Sequence, residues 1–314
     1  MNNLNLSGFF KLPDVKAKLR QEFVKPRFSV DKPLLSPVIT SNPPKIGTAF
    51  DYLLRFYANY INPKAVSSIW TAEESLKILE LSRDDDTIII DAKNRLVQVQ
   101  NADLIPRDYV KKCKELKQEH YSEAKKVIET AKENLDSYLR TGDMNNHLIE
   151  SSLALAQLDV LRRARYLSNS KSFIAEKNDL EDLQHLISRL EIKIFKANQI
   201  CILNPNFGPE ATKLMNADGD IVIDDTLIDI KTVKELNVKR EFFNQLIGYY
   251  TLYRIGGIKG MSPDNKINKI GIYFSRYGYL HTYKIEDIID EKIFIEFIEW
   301  FKKRASNFKT AHFP

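Results

Sequence analysis

The sequence predicts an α/β protein, with a mixed central sheet flanked by helices and, before it in the chain, a large all-helical region. Two observations support this fold class. Between residues 63 and 197 the apolar residues recur with a helical period, as in the stripe Leu180, Leu183, Ile187 and Leu190. After residue 200 the pattern changes to strand, hairpin, helix and strand, an order typical of a mixed α/β core.

The first part of the chain, residues 1–45, is predicted to be an extended arm that precedes a buried helix. A short amphipathic helix is expected near residues 14–24, and the prolines of residues 25–45 exclude a regular element there. Residues 46–60 predict a helix with apolar or aromatic side chains on nearly every side, which indicates deep burial. Asp51 lies within this helix, and a buried carboxylate requires a partner or a metal ion.

Further helices and strands follow in order. The predicted helices of the middle region span residues 63–70, 71–82, 106–139, 145–167 and 178–196. We interpret this region as a helical bundle that serves as a scaffold. Beyond residue 200, strands are predicted at 200–203, 221–223, 227–228, 267–275 and 279–285, and helices at 240–254 and 290–306. Residues 204–208 predict a turn, and a loop that faces a substrate is the alternative.

Composition and charge argue against several classes of protein. Cys113 and Cys201 are the only cysteines and are far apart, which argues against a disulfide framework, a structural zinc or an iron–sulfur cluster. The sequence has no apolar run of about 18 residues, and its start lacks the segments of a signal peptide. We therefore expect a cytoplasmic protein with no membrane partner. The net charge of +5 is compatible with a polyanionic partner, but composition alone favours an ordinary Lys-rich surface.

The stretch from residue 218 to 231 has the pattern most typical of a reactive site. Its two apolar runs flank a turn and predict two antiparallel strands. Antiparallel pairing places the start of one strand beside the end of the other, so Asp220 meets Asp229 and Lys231. Residues 229 and 231 share a face, because side chains alternate along a strand. Two carboxylates and an ammonium at one place indicate a metal site with a positioned water.

A second Asp-x-Lys, formed by Asp91 and Lys93, also follows acidic residues and an apolar run. The gap between those acids and Asp91 is too short for two strands and a turn. No amphipathic helix with a polar face follows it, because Pro106 comes first. The sequence therefore favours Asp229 and Lys231 as the site.

The helix predicted after the hairpin has polar residues that fit this site. Gln245 and Tyr249 are four residues apart and hence share a helix face. Lys234, Lys239 and Arg240 precede them and form a basic group suited to binding phosphates. The alternative is structural, with the tyrosine in the core and the glutamine as a polar residue of the helix surface.

These residues resemble the PD-(D/E)XK nuclease superfamily, in its RecB-type branch. That branch has an acid in a G-x-x-D setting, an apolar strand that ends in D/E-x-K-T, and Q-x-x-x-Y on the next helix. The matching residues here are Asp220, the I-D-I-K-T of residues 228–232, Gln245 and Tyr249. The branch also has G-x-x-x-H or G-x-x-x-E on an upstream helix, a slot occupied here by Gly47 and Asp51.

The resemblance implies a fold, a division of the chain and a function. A restriction-endonuclease-like core is expected from residues 46–62 and 198–314, with residues 63–197 as a helical insertion. The implied function is that of a Mg²⁺-dependent nuclease that hydrolyses DNA, in host defence or DNA processing. An RNase, a partner-activated nuclease and a silent nucleic-acid-binding subunit are the alternatives. Any helicase or regulator would be a separate chain, because no helicase motif is present.

The resemblance also implies roles for individual residues. A Mg²⁺ or Mn²⁺ ion is expected to be held by Asp220, Asp229, the Ile230 carbonyl and, as a further ligand, Asp51. Lys231 is expected to orient the attacking water and to offset developing charge. Gln245 and Tyr249 are expected to hold either the nucleic-acid backbone or the region around Lys231. The iron–sulfur cluster of some relatives is not expected, because two cysteines cannot supply its four ligands.

Overall fold

A computed structural model describes residues 5–101, 104–168, 173–215 and 217–312, with side chains described as far as residue 308. The helices are α1 (Leu6–Phe9), α2 (Pro13–Glu22), α3 (Pro43–Ile61), α4 (Thr71–Arg83), α5 (Arg107–Thr141), α6 (Asn146–Ala164), α7 (Lys177–Ile187), α8 (Ile192–Phe195), α9 (Pro209–Leu214), α10 (Arg240–Gly256), α11 (Ile285–Ile288) and α12 (Glu291–His312). The strands are β1 (Val66–Ser67), β2 (Ile88–Ile90), β3 (Leu96–Gln98), β4 (Cys201–Leu203), β5 (Ile221–Ile223), β6 (Thr226–Lys231), β7 (Lys269–Phe274) and β8 (Tyr279–Lys284).

Six strands form one mixed sheet, in the order β1-β4-β5-β6-β7-β8. β1 pairs with β4 and β6 with β7 in parallel, and the other neighbours are antiparallel. Ile221 and Val222 point to opposite faces of the sheet and both are fully buried, so both faces are covered. The predicted α/β class with a mixed central sheet is therefore confirmed.

Contacts divide the chain into two units. The sheet unit comprises Met1–Leu35, Ile61–Ser68 and Arg189–Pro314, and the helical unit comprises Ser36–Tyr60 and Ile69–Ser188. The predicted division grouped residues 46–62 with the sheet, whereas nearly all of α3 belongs to the helical unit. The reason is that α3 packs on other helices there. The Tyr52 hydroxyl donates to Asp159 of α6, and the Tyr60 ring contacts Tyr138 of α5.

The N-terminal helices α1 and α2 belong to the core of the sheet unit and do not form an extended arm. They share one apolar cluster with α10, α12 and the sheet. Phe9 packs edge-on against Phe301, with 5.2 Å between ring centroids, and Phe23 packs likewise against Phe297 at 4.8 Å. The helix predicted near residues 14–24 is confirmed as α2. The four-residue α1 is too short for its periodicity to be recognised from sequence.

The helical unit contains nearly all of α3, together with α4, α5, α6 and α7, as its long elements. Pro106 and Gly142 bound α5, as the sequence predicts, and Gly142 has the left-handed φ of 73° that favours glycine at a helix end. Residues Ile39 and Thr40, in the extended stretch before α3, donate their backbone N–H groups to the buried Asp182 of α7. Of the helices that the structure describes, none is long and apolar enough to cross a membrane.

Four predictions differ from the structure. Residues 63–70 form a turn and β1 rather than a helix, because Val66 and Ser67 pair with β4. The middle region is not all-helical, because the β-branched run Ile88–Ile90 pairs with Leu96–Gln98 in a separate two-stranded sheet. The helix predicted at 178–196 is interrupted between α7 and α8. Prolines 43 and 44 begin α3 instead of excluding a helix, since the first turn needs no N–H donor.

Candidate active site

The predicted hairpin is confirmed as the pair β5 and β6. Ile221 lies opposite Ile228, and Ile223 lies opposite Thr226, so the turn has two residues and not the three predicted. Asp224 takes the positive φ that this turn requires, 51°, which aspartate tolerates better than most residues. Its carboxylate also accepts the backbone N–H groups of residues 198–200, just before β4. The turn therefore fixes the hairpin to the adjacent strand.

The hairpin brings Asp220 to the end of β6. The register of the two strands, continued by one residue, places Asp220 opposite Asp229. The Asp220 Oδ2 atom accepts the Ile230 backbone N–H at 2.6 Å, which holds this carboxylate against the end of β6. Asp229 is only 1% exposed, whereas Asp220 is half-buried. The two carboxylates predicted to meet are thus adjacent across the hairpin.

Lys231 links the strand to helix α10. Its ammonium lies 2.7 Å from the Asp229 Oδ2 atom and donates to the Gln245 Oε1 atom at 3.0 Å. The Gln245 Nε2 atom in turn donates to the Tyr249 hydroxyl at 2.7 Å. The ring of Phe242 lies beneath the ammonium, 5.1 Å away. Four of the predicted site residues therefore form one continuous chain of polar contacts.

Tyr249 combines the two interpretations that the sequence left open. Its ring is in the core, where it stacks on Phe207 with 5.8 Å between centroids, while its hydroxyl belongs to the polar chain. Burial, followed by the negative charges of Asp220 and Asp229, raises the pKa of this hydroxyl well above its usual value. The hydroxyl therefore stays neutral and protonated at physiological pH.

Asp218 points to a different partner from Asp220. Its Oδ1 atom accepts the Asn206 Nδ2 group at 3.2 Å, and the two residues also form a backbone bridge. Asp218 thereby connects the hairpin to the loop of residues 204–208. The sequence predicted this loop as a turn and did not identify Asn206, because nothing in the local pattern relates it to a residue twelve positions later.

Asp51 has a partner within its own helix. The Arg55 Nη2 atom lies 2.6 Å from the Asp51 Oδ2 atom, and Arg55 also stacks over the Tyr52 ring at 4.5 Å. The carboxylate is half-buried, and this ion pair supplies a partner for one of its oxygens. The other oxygen, Oδ1, is buried and has no hydrogen-bond partner among the described residues. Arg55, four positions after Asp51, could have been recognised from the sequence as the partner in this ion pair. A role of Asp51 as a metal ligand stays a prediction.

The predicted basic group separates into exposed and inward-facing residues. Lys234 and Lys239 are exposed, and the ammonium of Lys239 lies 3.2 Å from Glu235. Arg240 is half-buried, and its Nη2 atom donates to the Leu19 carbonyl at the end of α2. Two of the three cations are thus on the surface ahead of α10, whereas the third binds the N-terminal helix.

The other Asp-x-Lys of the sequence is a hairpin turn in the helical unit. The Asp91 Oδ1 atom accepts the backbone N–H groups of Lys93 and Arg95, and its carboxylate pairs with the Arg95 guanidinium at 2.7 Å. Lys93 itself is exposed. This motif closes β2 onto β3.

The oxygen atoms around Asp229 suit a hard cation that takes only a few of its ligands from the protein. Asp220 and Asp229 offer carboxylate oxygens, and Ile230 offers a carbonyl next to them. Mg²⁺ in proteins is commonly held by one or two carboxylates, with water and substrate phosphate as its other ligands. Within residues 5–101, 104–168, 173–215 and 217–312, no group of three or more His, Cys, Asp or Glu side chains could hold a metal. The set thus fits Mg²⁺ and does not form a cage made by protein alone.

Comparison with known proteins identifies no relative of this chain. None of the family models matches it. No curated protein and no solved structure matches it either. The function must therefore be inferred from the residues of the site themselves.

Proposed function

We propose that this chain is a Mg²⁺-dependent nuclease with a core of the PD-(D/E)XK type, and that it hydrolyses phosphodiester bonds in DNA. The observation that supports this most strongly is the polar chain from Asp229 through Lys231 and Gln245 to Tyr249. Burying a carboxylate beside a lysine at the end of a central strand is costly compared with apolar side chains of similar size. Their arrangement is explained if they act on a substrate.

In this proposal the acids and the lysine have separate roles. Asp220, Asp229 and the Ile230 carbonyl hold Mg²⁺. When bound, the ion offsets charge on the phosphoryl oxygens and lowers the pKa of a coordinated water. Lys231 orients the attacking water and interacts with the negative charge that develops on the phosphate.

Gln245 and Tyr249 keep Lys231 in position. The amide oxygen of Gln245 accepts from the ammonium, and the amide nitrogen is fixed in turn by the Tyr249 hydroxyl. Because that hydroxyl remains neutral, it does not compete with Asp229 for the ammonium. The exposed Lys234 and Lys239 provide positive charge for the phosphates of the DNA beyond the reacting bond.

The test is a cleavage assay with a matched control from the same chain. Linear and circular DNA, single- and double-stranded, and RNA are incubated with and without Mg²⁺ or Mn²⁺. We expect Lys231→Ala and Asp229→Asn to lower metal-dependent cleavage about 100-fold or more. Lys93→Ala, in the other Asp-x-Lys, should cleave as the parent does. Circular dichroism of each variant verifies that it is folded. Equal cleavage by the parent and by both site variants would rule out this assignment.

A second candidate function is a nucleic-acid-binding subunit that does not cleave on its own. Such a subunit is either catalytically silent or activated by a partner protein. It is favoured by the direct ion pair between Asp229 and Lys231, which occupies an oxygen that a metal would need. The same assay decides between the two. Binding of DNA without turnover of any substrate supports the silent subunit, and turnover of RNA alone supports an RNase.

A further inference from the structure

The sheet unit contains an open cleft of about 920 Å³ at the end of α10. One wall is formed by the loop of residues 204–208 and the start of α9. The other wall is formed by the last turn of α10 and the loop that follows it, as far as Asn265. A volume of this size is typical of pockets that bind small molecules or single nucleotides.

One wall of the cleft is attached to the acidic residues of the hairpin. Asn206 lines the cleft and donates its side-chain amide to Asp218 at 3.2 Å. Two residues earlier, the Asn204 backbone N–H donates to the Asp220 carbonyl at 3.0 Å. The cleft wall is therefore bonded to Asp218, two residues before the predicted reactive carboxylate Asp220.

Two glycines make the base of the cleft possible. A Cβ atom on Gly208 would lie 2.1 Å from the Gly256 carbonyl oxygen, so only glycine permits this approach of loop and helix. The Gly208 backbone N–H donates to the Gly257 carbonyl at 3.2 Å and closes the contact. The two walls are thus joined by backbone at their base, and the cleft is a fixed feature of the fold.

The lining combines flat apolar surface with amide groups and a cation. Tyr253, Met261 and Pro263 provide apolar or aromatic contact, and Asn206 and Asn265 provide amides. Arg254 also lines the cleft, but its guanidinium is bound by Glu291 through two contacts of 2.6 and 3.0 Å. Lys259 lines the cleft and is exposed.

This combination matches the chemistry of an unpaired nucleotide. A base offers a flat face to aromatic and apolar side chains, and its edge bonds to side-chain amides. Its phosphate suits the lysine. In a duplex the flat faces are stacked and the base edges are paired, so a recessed cleft cannot receive them without opening the pair.

We propose that the cleft binds an unpaired nucleotide of the strand whose phosphodiester lies at Asp229 and Lys231. The inference rests on the proposed nuclease function and specifies its substrate as a single strand or a frayed end. Lys259 binds a phosphate of that nucleotide, and the amides of Asn206 and Asn265 contact its base.

The experiment measures binding of fluorescently labelled single strands to the full chain in EDTA, by anisotropy. Oligothymidylate and oligouridylate are compared with a blunt duplex. Ser262→Trp fills the cleft from an exposed position, and Asn268→Trp is the control, an exposed and uncharged residue at the end of the same loop outside the cleft. We expect the dissociation constant for single strands to rise about tenfold in Ser262→Trp and several-fold in Lys259→Ala, and to be unchanged in Asn268→Trp.

The outcomes separate this inference from the nuclease proposal. If Ser262→Trp binds single strands as the parent does, the cleft is not the subsite, even where Mg²⁺-dependent cleavage persists. If the duplex binds as tightly as the single strands, or if the parent binds neither, the inference is overturned. If Ser262→Trp weakens binding but the parent cleaves nothing with Mg²⁺, the cleft assignment holds and the nuclease proposal fails. Oligodeoxyuridylate, compared with oligouridylate, identifies the preferred sugar.

Discussion

Asp159 is a carboxylate of α6 that is buried in the helical unit. Its Oδ1 atom accepts the Tyr52 hydroxyl at 2.8 Å, and the Arg163 guanidinium lies 3.5 Å from its Oδ2 atom. Burial raises the pKa of this carboxyl to about 6, against the opposing effects of Arg163, the Tyr52 hydroxyl and Arg55. The protonated form is therefore the one that the fold favours.

The sign of the pH dependence follows from this raised pKa. The contribution of Asp159 to stability is fully present below the pKa of the unfolded chain, near 3.8, and is lost as the pH rises through about 6. At pH 7 the ionised carboxylate costs about 3 kcal/mol relative to the neutral form. Asp159→Asn remains neutral and can still accept the Tyr52 hydroxyl.

We expect Asp159→Asn to gain about 3 kcal/mol of unfolding free energy relative to the parent between pH 4 and pH 7. Urea unfolding at several pH values, followed by circular dichroism, measures this difference. Glu181→Gln changes an exposed carboxylate of the same unit and should show no such gain. If the unfolding free energies of the parent and of Asp159→Asn changed with pH in parallel, burial would not raise the pKa of Asp159 as stated.

At the scale of elements, one lysine joins α5 to the end of α4 and the start of β2. Lys117 is 1% exposed, and its ammonium donates to the carbonyls of Ser82, Asp85 and Ile88 at 2.7, 2.7 and 2.8 Å. Burial lowers its pKa, while the nearby Asp86 acts in the opposite direction. The ammonium thus satisfies three carbonyls at the point where the helix gives way to the strand.

We expect Lys117→Met to lower the unfolding free energy by about 3 kcal/mol, because it keeps the aliphatic chain but removes the donor that three carbonyls share. Lys114→Met is the matched control. Lys114 is on the same helix, half exposed, with its ammonium 3.7 Å from Asp86, and its loss should cost less than about 1 kcal/mol. Equal effects of the two substitutions in thermal or urea unfolding would show that the three carbonyl contacts contribute little.

Elements with a strong local pattern were predicted, and contacts between distant segments were not. The hairpin, α5 and α10 follow from periodicity and turn residues within about ten to twenty positions, so Asp220, Asp229 and Gln245 could be grouped from their spacing in the sequence. Asn206 and Lys117 escaped prediction because their partners are set by tertiary packing. The buried carboxylate of Asp159 in α6 escaped prediction for the same reason, because its partner Tyr52 lies on another helix.

At the scale of the whole molecule, residues from the N-terminal helices α1 and α2 complete the core of the sheet unit, where they pack with α10 and α12. The Phe10 ring and the Leu6 side chain occupy the space that a side chain on Gly248 would need, a Cβ there lying 2.5 Å from the Phe10 ring. Gly248 adjoins Tyr249 on α10. The absence of a side chain at Gly248 therefore lets the N-terminal segment approach the helix that supports the candidate site.

The size of this N-terminal contribution can be measured with Phe9→Ala. Phe9 is fully buried and packs edge-on against Phe301 of α12, so its truncation removes apolar contact and leaves a cavity. We expect the unfolding free energy to fall by about 3–5 kcal/mol. Lys11→Ala, two residues later and exposed, should change it by less than about 0.5 kcal/mol. Urea unfolding of both variants provides the comparison. If Phe9→Ala were as stable as Lys11→Ala, the segment would be an extended arm, as the sequence alone predicts, because only a segment outside the core could lose this ring without cost.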